Sequence, residues 1–254
     1  MSQGYTILPR FYDRWQNTYG EDFSNIVYPR LQATISRYRI PVSAAVDIGC
    51  GTGTLACMLA EQGWDMYGID ASQGMIAEAI AKVQAAGLSV QFSRQDMTEV
   101  HLPVSAGLVT AFFDVLNHLV ERNDLLETIG RVYNLLRPGG LFVFDTSNER
   151  CYRILWSKTD IIRHEDFLLT LENSYDANTQ CGESHVTVFH RVGDLYQRDE
   201  ETVRQRFYSR RDVGSALRKQ GFRVLEHRDF GFLNDPEMGK LKTWWVAQKP
   251  GTSN

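Results

Sequence analysis

The chain is poor in cysteine, with only Cys50, Cys57, Cys151 and Cys181 in 254 residues, and no two of them stand in Cys-x-x-Cys spacing. That argues against a zinc ribbon or a disulfide scaffold and suits a reducing compartment. It also lacks an excess of positive charge. At a net −4, with acids and bases interspersed, it has no broad field to draw in nucleic acid or an anionic membrane. No apolar run approaches the length of a bilayer span, and the N-terminus lacks the basic-then-apolar pattern of a secretory signal. A soluble, cytoplasmic protein with no membrane partner is expected. The histidines lack helical metal-ligand spacing, and no metal is expected. His185 and His190 are five apart, an odd interval that sends them to opposite faces of a strand. Internal repeats and low-complexity segments are absent.

What the chain does have is length enough for one large α/β core carrying an insertion. Residues 5 to 40 are rich in aromatics (Tyr5, Phe11, Tyr12, Trp15, Tyr19, Phe23, Tyr28), compatible with two helices before Pro41. From residue 44 to 145 strand-like and helix-like segments alternate. Ala44 to Ile48 reads as a strand, Thr54 to Gln62 as a helix ended by Gly63, and Met66 to Ile69 as a second strand ending at Asp70. A helix capped by Ser72 and stopped at Gly87 follows. Val90 to Ser93 and Leu108 to Phe113 are the third and fourth strands. A helix over Asn123 to Arg137 is stopped by Pro138-Gly139-Gly140 before a strand from Leu141 to Asp145. Such alternation predicts a doubly wound, mostly parallel sheet with ligands gathered at the carboxyl ends of its strands.

The pattern then changes. Phe167 to Tyr175, Ser184 to Arg191 and Leu195 to Tyr208 are extended segments separated by turn residues, which predicts an antiparallel meander. A helix begins at Ser209 with Asp212 in the capping-box position, and two further strands follow near Phe222 to Glu226 and Thr243 to Gln248. The expected division is a helical cover over 1–43, a core over 44–150 and 209–254, and a β-rich insertion over 151–208 that lids an acceptor.

Gly49-Cys50-Gly51-Thr52-Gly53 leaves the first strand and enters a helix, where only glycine turns tightly without a Cβ clash and lets backbone approach a ligand. Asp70, about 20 residues on at the end of the next strand, can accept both ribose hydroxyls of a nucleoside. A dinucleotide enzyme would place its third glycine at the position held by Thr54, which weakens a nicotinamide reading. A turn without any ligand is the plain alternative.

These residues carry a resemblance. Val46 to Gly53 resembles the first motif of class I S-adenosylmethionine-dependent methyltransferases, and Asp70 to Met75 is similar to their second. Gln95-Asp96-Met97 looks like their adenine-contacting segment, and Leu135 to Leu141 like the turn before their fifth strand. Phe11-Tyr12-Asp13, Phe113 to Asn117 and Asp199 through Tyr208 resemble a bacterial small-molecule branch with a β-rich insertion. The resemblance implies a Rossmann-like seven-stranded sheet of order 3-2-1-4-5-7-6 with an antiparallel seventh strand. It implies S-adenosyl-L-methionine as cofactor, with Gly49 and Gly51 against its methionine part and Asp70 on the ribose. Asp96 would meet the adenine amino group, Met97 the ring edge and Met75 its face, while Tyr12 closes over the cofactor. Cys50, Gly53, Ala71, Phe113 and Asp114 complete the implied set. Asp47 is expected to orient the glycine loop through hydrogen bonds.

Methyl transfer from a sulfonium is an in-line displacement, so alignment and exclusion of water can supply much of the rate without a catalytic residue. If there is one, His118, after the fourth strand, is the best-placed titratable group; packing or capping at a loop is its bland alternative. Asp114 or Asn117 could bind the amino-acid portion of the cofactor. His164, Glu165, Tyr175, His185, His190, Tyr196 and Tyr208 are candidates for an acceptor pocket, most of them expected to be structural or solvated. Arg191, Arg198, Arg204, Arg206, Arg210 and Arg211 are interleaved with Asp194, Asp199, Glu200 and Glu201, which disfavours nucleic acid. The expected activity is methylation of nitrogen or oxygen on a small-molecule acceptor. An RNA-directed methyltransferase and a non-catalytic cofactor-binding module are the alternatives.

Overall fold

The computed structural model describes residues 4–18, 22–231 and 240–251; Tyr19 of the N-terminal aromatic group lies outside them. A 3-10 turn at Leu8–Phe11 leads into α1 (Tyr12–Asn17), and α2 spans Phe23–Arg37. The alternating region forms β1 (Ala44–Ile48), α3 (Thr54–Glu61), β2 (Asp65–Asp70), α4 (Gln73–Ala86), β3 (Val90–Arg94), β4 (Ala106–Ala111), α5 (Arg122–Leu135) and β5 (Leu136–Ser147). After α6 (Glu149–Ile154) come β6 (Thr159–Arg163), β7 (Phe167–Asp176), β8 (Cys181–Val192) and β9 (Leu195–Arg206). The chain then returns to α7 (Arg210–Lys219), β10 (Arg223–Phe230) and β11 (Lys242–Gln248).

Seven strands join one sheet in the order β10-β11-β5-β4-β1-β2-β3, with β11 antiparallel to both neighbours and the rest parallel. This is the order the resemblance implies. β1, β4 and β5 are buried on both faces, which explains their near-continuous apolar runs. One face packs on α5 and α7 through Ile129, Val132 and Leu217, the other on α2 and α3 through Val27, Leu31 and Leu59. Local signals set the helix ends. Ser72 accepts from Met75 N, Gly87 adopts the left-handed conformation, and Ser209 and Asp212 form a reciprocal capping box. Among the described residues no helix is long and apolar enough to cross a membrane.

The second sheet, β6-β7-β8-β9, is antiparallel throughout. Phe167, Leu169, Val186, Val188 and Val203 line its inner face and pack against Leu8 and Phe11 of the N-terminal segment. The N-terminal cover and the insertion therefore share one small core. His190 is buried and His185 exposed, as their odd spacing requires. Two elements depart from expectation. β6, with one buried residue in five, carries no alternation that sequence could reveal. β5 begins at Leu136 rather than after the Pro-Gly-Gly turn, because Leu136 already pairs with Ala106 across an irregularity in the ladder.

Candidate active site

The carboxyl ends of β1, β2, β4 and β5 converge beneath the N-terminal segment. β1 and β2 run in register, Ile48 beside Ile69, and Cys50 N extends the ladder by donating to Ile69 O at 2.9 Å. The three loop glycines all have positive φ, yet for different reasons. A Cβ at Gly49 would stand 2.6 Å from Val115, and one at Gly53 would stand 3.0 Å from Ala79, so protein packing alone requires both. At Gly51, with φ +54°, the nearest atom to a Cβ is the ring of Tyr12 at 3.8 Å. Gly51 thus opens on the space between the loop and the Tyr12 ring, where backbone can approach a ligand.

Asp70 closes this loop. Its carboxylate accepts from Gly51 N at 3.0 Å and from Ser72 N at 2.8 Å. Burial raises its pKa while those two donors pull it back. Such a carboxylate, with lone pairs to spare, fits a vicinal diol. Asp47 corrects the expectation, since its Oδ1 accepts from Thr110 Oγ1 of β4 at 2.6 Å and the loop is held by Asp70 instead. Burial, opposed by the Thr110 hydrogen bond and reinforced by nearby Asp70, pushes the Asp47 carboxyl up to about 7. Asp47, Gly49, Cys50, Gly51, Tyr12 and Phe113 line one small cavity of about 50 Å³. The Cys50 thiol is pushed up by burial and is no nucleophile.

The other implied cofactor residues sit further along the same rim. Met75 is buried in the first turn of α4, and Ala71 O accepts from Arg94 Nε. Asp96 Oδ1 caps its own turn through Thr98 N and Oγ1, and Met97 is half-buried against the core. The N-terminal segment is fastened over all of them. Asp13 bonds Thr52 Oγ1 at 2.6 Å and Lys82 at 2.8 Å, and the Glu201 carboxylate of β9 accepts from Thr6, Ile7 and Leu8 N.

A second, polar cluster lies past the end of β4. Phe113 and Asp114 are consecutive non-glycine residues with φ of +69° and +52°, a strained pair that costs about 1–3 kcal/mol per residue. The strain is held by Asp145, whose Oδ1 accepts from Asp114 N at 3.1 Å, and by Lys242, which pairs with Asp114 and, at 3.0 Å, with Asp145. Asp145 and Lys242 are buried and Asp114 is half-buried. Burial works to raise Asp114, but the Lys242 ammonium overrides it and holds that carboxyl below its usual range. Asp145, with burial dominant, is raised, and the two acids raise Lys242 against its own burial.

His118 joins this cluster. Its Nε2 lies 3.2 Å from Gln205 Nε2 and 3.4 Å from the Tyr5 hydroxyl. Burial lowers its pKa below 6.5, so the ring is neutral at pH 7. Tyr5 also spans back to the cofactor rim, where its carbonyl accepts from Ser72 Oγ at 2.5 Å. One residue therefore reaches from the Asp70 loop to His118.

Asn117 does not face the site. It donates to Arg206 O and accepts from Ser147 N, tying the insertion to β5. The insertion residues named from sequence stand elsewhere. His190 pairs with Asp199, Tyr208 donates to Leu119 O, His164 stacks on Phe167, and His185, Glu165 and Tyr196 are exposed. The residues missed are Tyr5, Gln205, Asp145 and Lys242. The last two carried a signal, a charge inside an apolar strand, which folds only when paired. Among the described residues no group of His, Cys, Asp and Glu is gathered as a metal site.

Residues 45–140 match a family model described as a methyltransferase domain. A protein of Geobacillus sp. (strain WCH70) named as a methyltransferase is 31% identical over 241 residues, covering 94% of this chain and 93% of the relative. A structure titled as an S-adenosylmethionine-dependent methyltransferase from Clostridium acetobutylicum superposes with a TM-score of 0.81 at 21% identity, covering 95% and 98% of the two chains. An S-adenosylmethionine-bound amino pentose methyltransferase from Micromonospora echinaspora superposes at 0.74 with 17% identity, covering 94% and 96%. At these identities the structures speak for the fold.

Proposed function

This chain belongs to the class I S-adenosylmethionine-dependent methyltransferases, and from that premise we propose that it methylates a nitrogen or oxygen atom of a small molecule enclosed beneath the N-terminal segment and the insertion. The observation that carries this is the double roof. Glu201 of β9 takes up the backbone of residues 6 to 8, which ties the insertion to the N-terminal segment above the cofactor loop, and such a cover suits a metabolite better than a polymer. The arginines of the insertion and of α7 support the same choice. Arg191, Arg198, Arg204 and Arg210 each have a carboxylate partner, Asp194, Glu200, Glu183 and Asp229 respectively, which leaves little field for RNA. The Micromonospora relative in fold acts on an amino sugar, and amines and hydroxyls on sugars are fitting first acceptors.

S-adenosylmethionine, when bound, supplies the electrophilic methyl group on its sulfonium. The open face of Gly51, with Gly49, Cys50 and Gly53 shaping the turn and Asp47 beneath it, receives the methionine end. Asp70 and Ala71 take the ribose, and Met75, Asp96 and Met97 the adenine, the Asp96 oxygen not spent on Thr98 accepting from the amino group. Tyr12 and Phe113 exclude water above the loop, and Asp114 shapes the rim with Lys242. His118 Nε2, neutral at working pH, accepts the proton that the acceptor must lose, if it carries one. The insertion over 151–208 acts as acceptor lid.

The test is an acceptor screen against a metabolite library, weighted to amino sugars and hydroxylated compounds and read as S-adenosylhomocysteine formed. Turnover on a small molecule supports the proposal. Turnover on RNA alone, with steep salt dependence, would replace it by the RNA-directed reading. Cofactor binding without turnover on any acceptor class would make the chain a binding module.

A further inference from the structure

Gln205 lies 2% exposed on β9, yet its amide sits at the centre of the polar cluster rather than in the apolar face of its own sheet. Its Nε2 contacts Asp114 Oδ2 and His118 Nε2, and its Oε1 faces the Tyr152 hydroxyl at 3.1 Å. The orientation of the amide follows from chemistry. An ionised carboxylate only accepts, so the NH2 end must face Asp114, and the oxygen is left for Tyr152, which donates. Lys242 keeps Asp114 ionised and thereby locks the arrangement. The amide has two N–H groups, one for Asp114 and one for His118 Nε2. That nitrogen must then offer a lone pair. A neutral imidazole carries a single N–H, so with Nε2 accepting from Gln205 the proton is on Nδ1.

We propose that Gln205 is a positioning residue for methyl transfer, holding His118 as the Nδ1–H tautomer so that Nε2 is the nitrogen left without a proton. This rests on the reading of His118 as the proton acceptor. Nε2 has one lone pair, which the Gln205 N–H holds in the resting site with the Tyr5 hydroxyl also in range, so an acceptor O–H or N–H reaches it by displacing those donors. Gln205 also stands between His118 and Asp114. Without its donor the Asp114 carboxylate would draw an N–H or an imidazolium toward itself, and the base would be lost to the wrong tautomer or to protonation. The charged and titratable groups facing His118 are Asp114 from the loop after β4, Lys242 from β11 and Tyr5 from the N-terminal segment. Burial and Lys242 oppose the charged ring, while Asp114 favours it.

The full-length protein labelled with 15N-histidine tests this by two-bond 1H–15N correlation, with His118 assigned by its loss in His118→Gln. In the wild type, Nε2 is expected to show the shift of an unprotonated ring nitrogen and Nδ1 that of a protonated one. In Gln205→Met, which keeps length and loses the donors, the His118 tautomer should invert or its pKa should rise by about one pH unit. Gln205→Asn, too short to span Asp114 and His118, should do the same and serves if the methionine variant does not fold. A merely structural glutamine would leave both quantities unchanged in a folded variant, and that result would overturn the proposal. Turnover then separates the two ideas. If the acid limb of the rate profile moves with the His118 pKa, positioning and base role stand together. If tautomer and pKa move while turnover on an acceptor does not, Gln205 still sets the ring but not for catalysis, and the base role falls with the proposal. His118→Gln with wild-type turnover would remove the base role on its own.

Discussion

Asp47 is buried at the end of β1 with one hydrogen-bond partner, and its carboxyl lies near 7 instead of 3.8. Between those values the folded chain holds a proton that the unfolded chain has released. The contribution of Asp47 to stability is therefore greatest below pH 3.8 and falls with rising pH through about 7, at about 1.4 kcal/mol per pH unit, for a total of about 4 kcal/mol as an upper bound. Asp47→Asn removes the titration and keeps a side chain that bonds Thr110. The two proteins should be nearly equal below pH 3.8, where the acid is neutral in both folded and unfolded chains, and the variant should lead by about 1.5 kcal/mol at pH 5. By pH 8 the variant should lead by about 4 kcal/mol, which for a chain of this length is about 8–16 °C in Tm. Urea unfolding at matched pH values measures it, and because every other group titrates in both proteins, the difference isolates position 47. A difference in stability that is independent of pH, or a variant less stable at pH 8, would refute the assignment of a desolvated, singly bonded carboxyl.

Asp70→Ala should weaken S-adenosylmethionine binding by about 1–3 kcal/mol in titration calorimetry, since it removes ribose acceptors and frees Gly51 N and Ser72 N; unchanged affinity would place the ribose elsewhere. Lys242→Met leaves the half-buried Asp114 and the buried Asp145 without their cation and should cost about 3–5 kcal/mol, seen as a lowered urea midpoint. His118→Ala should lower turnover by about a hundredfold with cofactor affinity unchanged, and the wild-type rate should climb with pH only below 6.5, because burial depresses the ring's pKa and the neutral base is already present above it. Wild-type rates in His118→Ala would leave alignment alone as the source of catalysis.

The glycine loop and Asp70, where we propose that the cofactor binds, were legible from sequence as a structural unit because their determinants are local. A strand, a glycine turn, a helix and a carboxylate one strand later lie within residues 44 to 70, and Ser72 and Gly87 punctuate the next helix by side-chain and backbone chemistry that acts over a few residues. Asp47 shows where this locality misleads. It adjoins the glycine loop in sequence but points across the sheet to Thr110, its partner in the β1–β4 register, because a strand residue faces its neighbouring strands before it faces the next turn.

Of the polar cluster past β4, only His118 was singled out from sequence as a catalytic candidate, by the rule that ligands gather at the carboxyl ends of parallel strands. Its neighbours come from far along the chain. Tyr5 is 113 residues from His118, Gln205 is 91 from Asp114, and Lys242 is 128 from Asp114. No period of two or 3.6 encodes such meetings. The insertion misled for a further reason. Its histidines and tyrosines drew attention as titratable groups, yet alternation along an antiparallel strand sends them to solvent or into the small core shared with the N-terminal segment, while Gln205, a residue of no intrinsic reactivity, is the one that reaches the cluster. A buried lysine between two acids then imposes the rest. With Lys242 fixing the charge of Asp114, Asp114 fixing the amide of Gln205, and Gln205 fixing the tautomer of His118, the chemistry of the site is set from β11 inward, by the one lysine of a largely apolar strand.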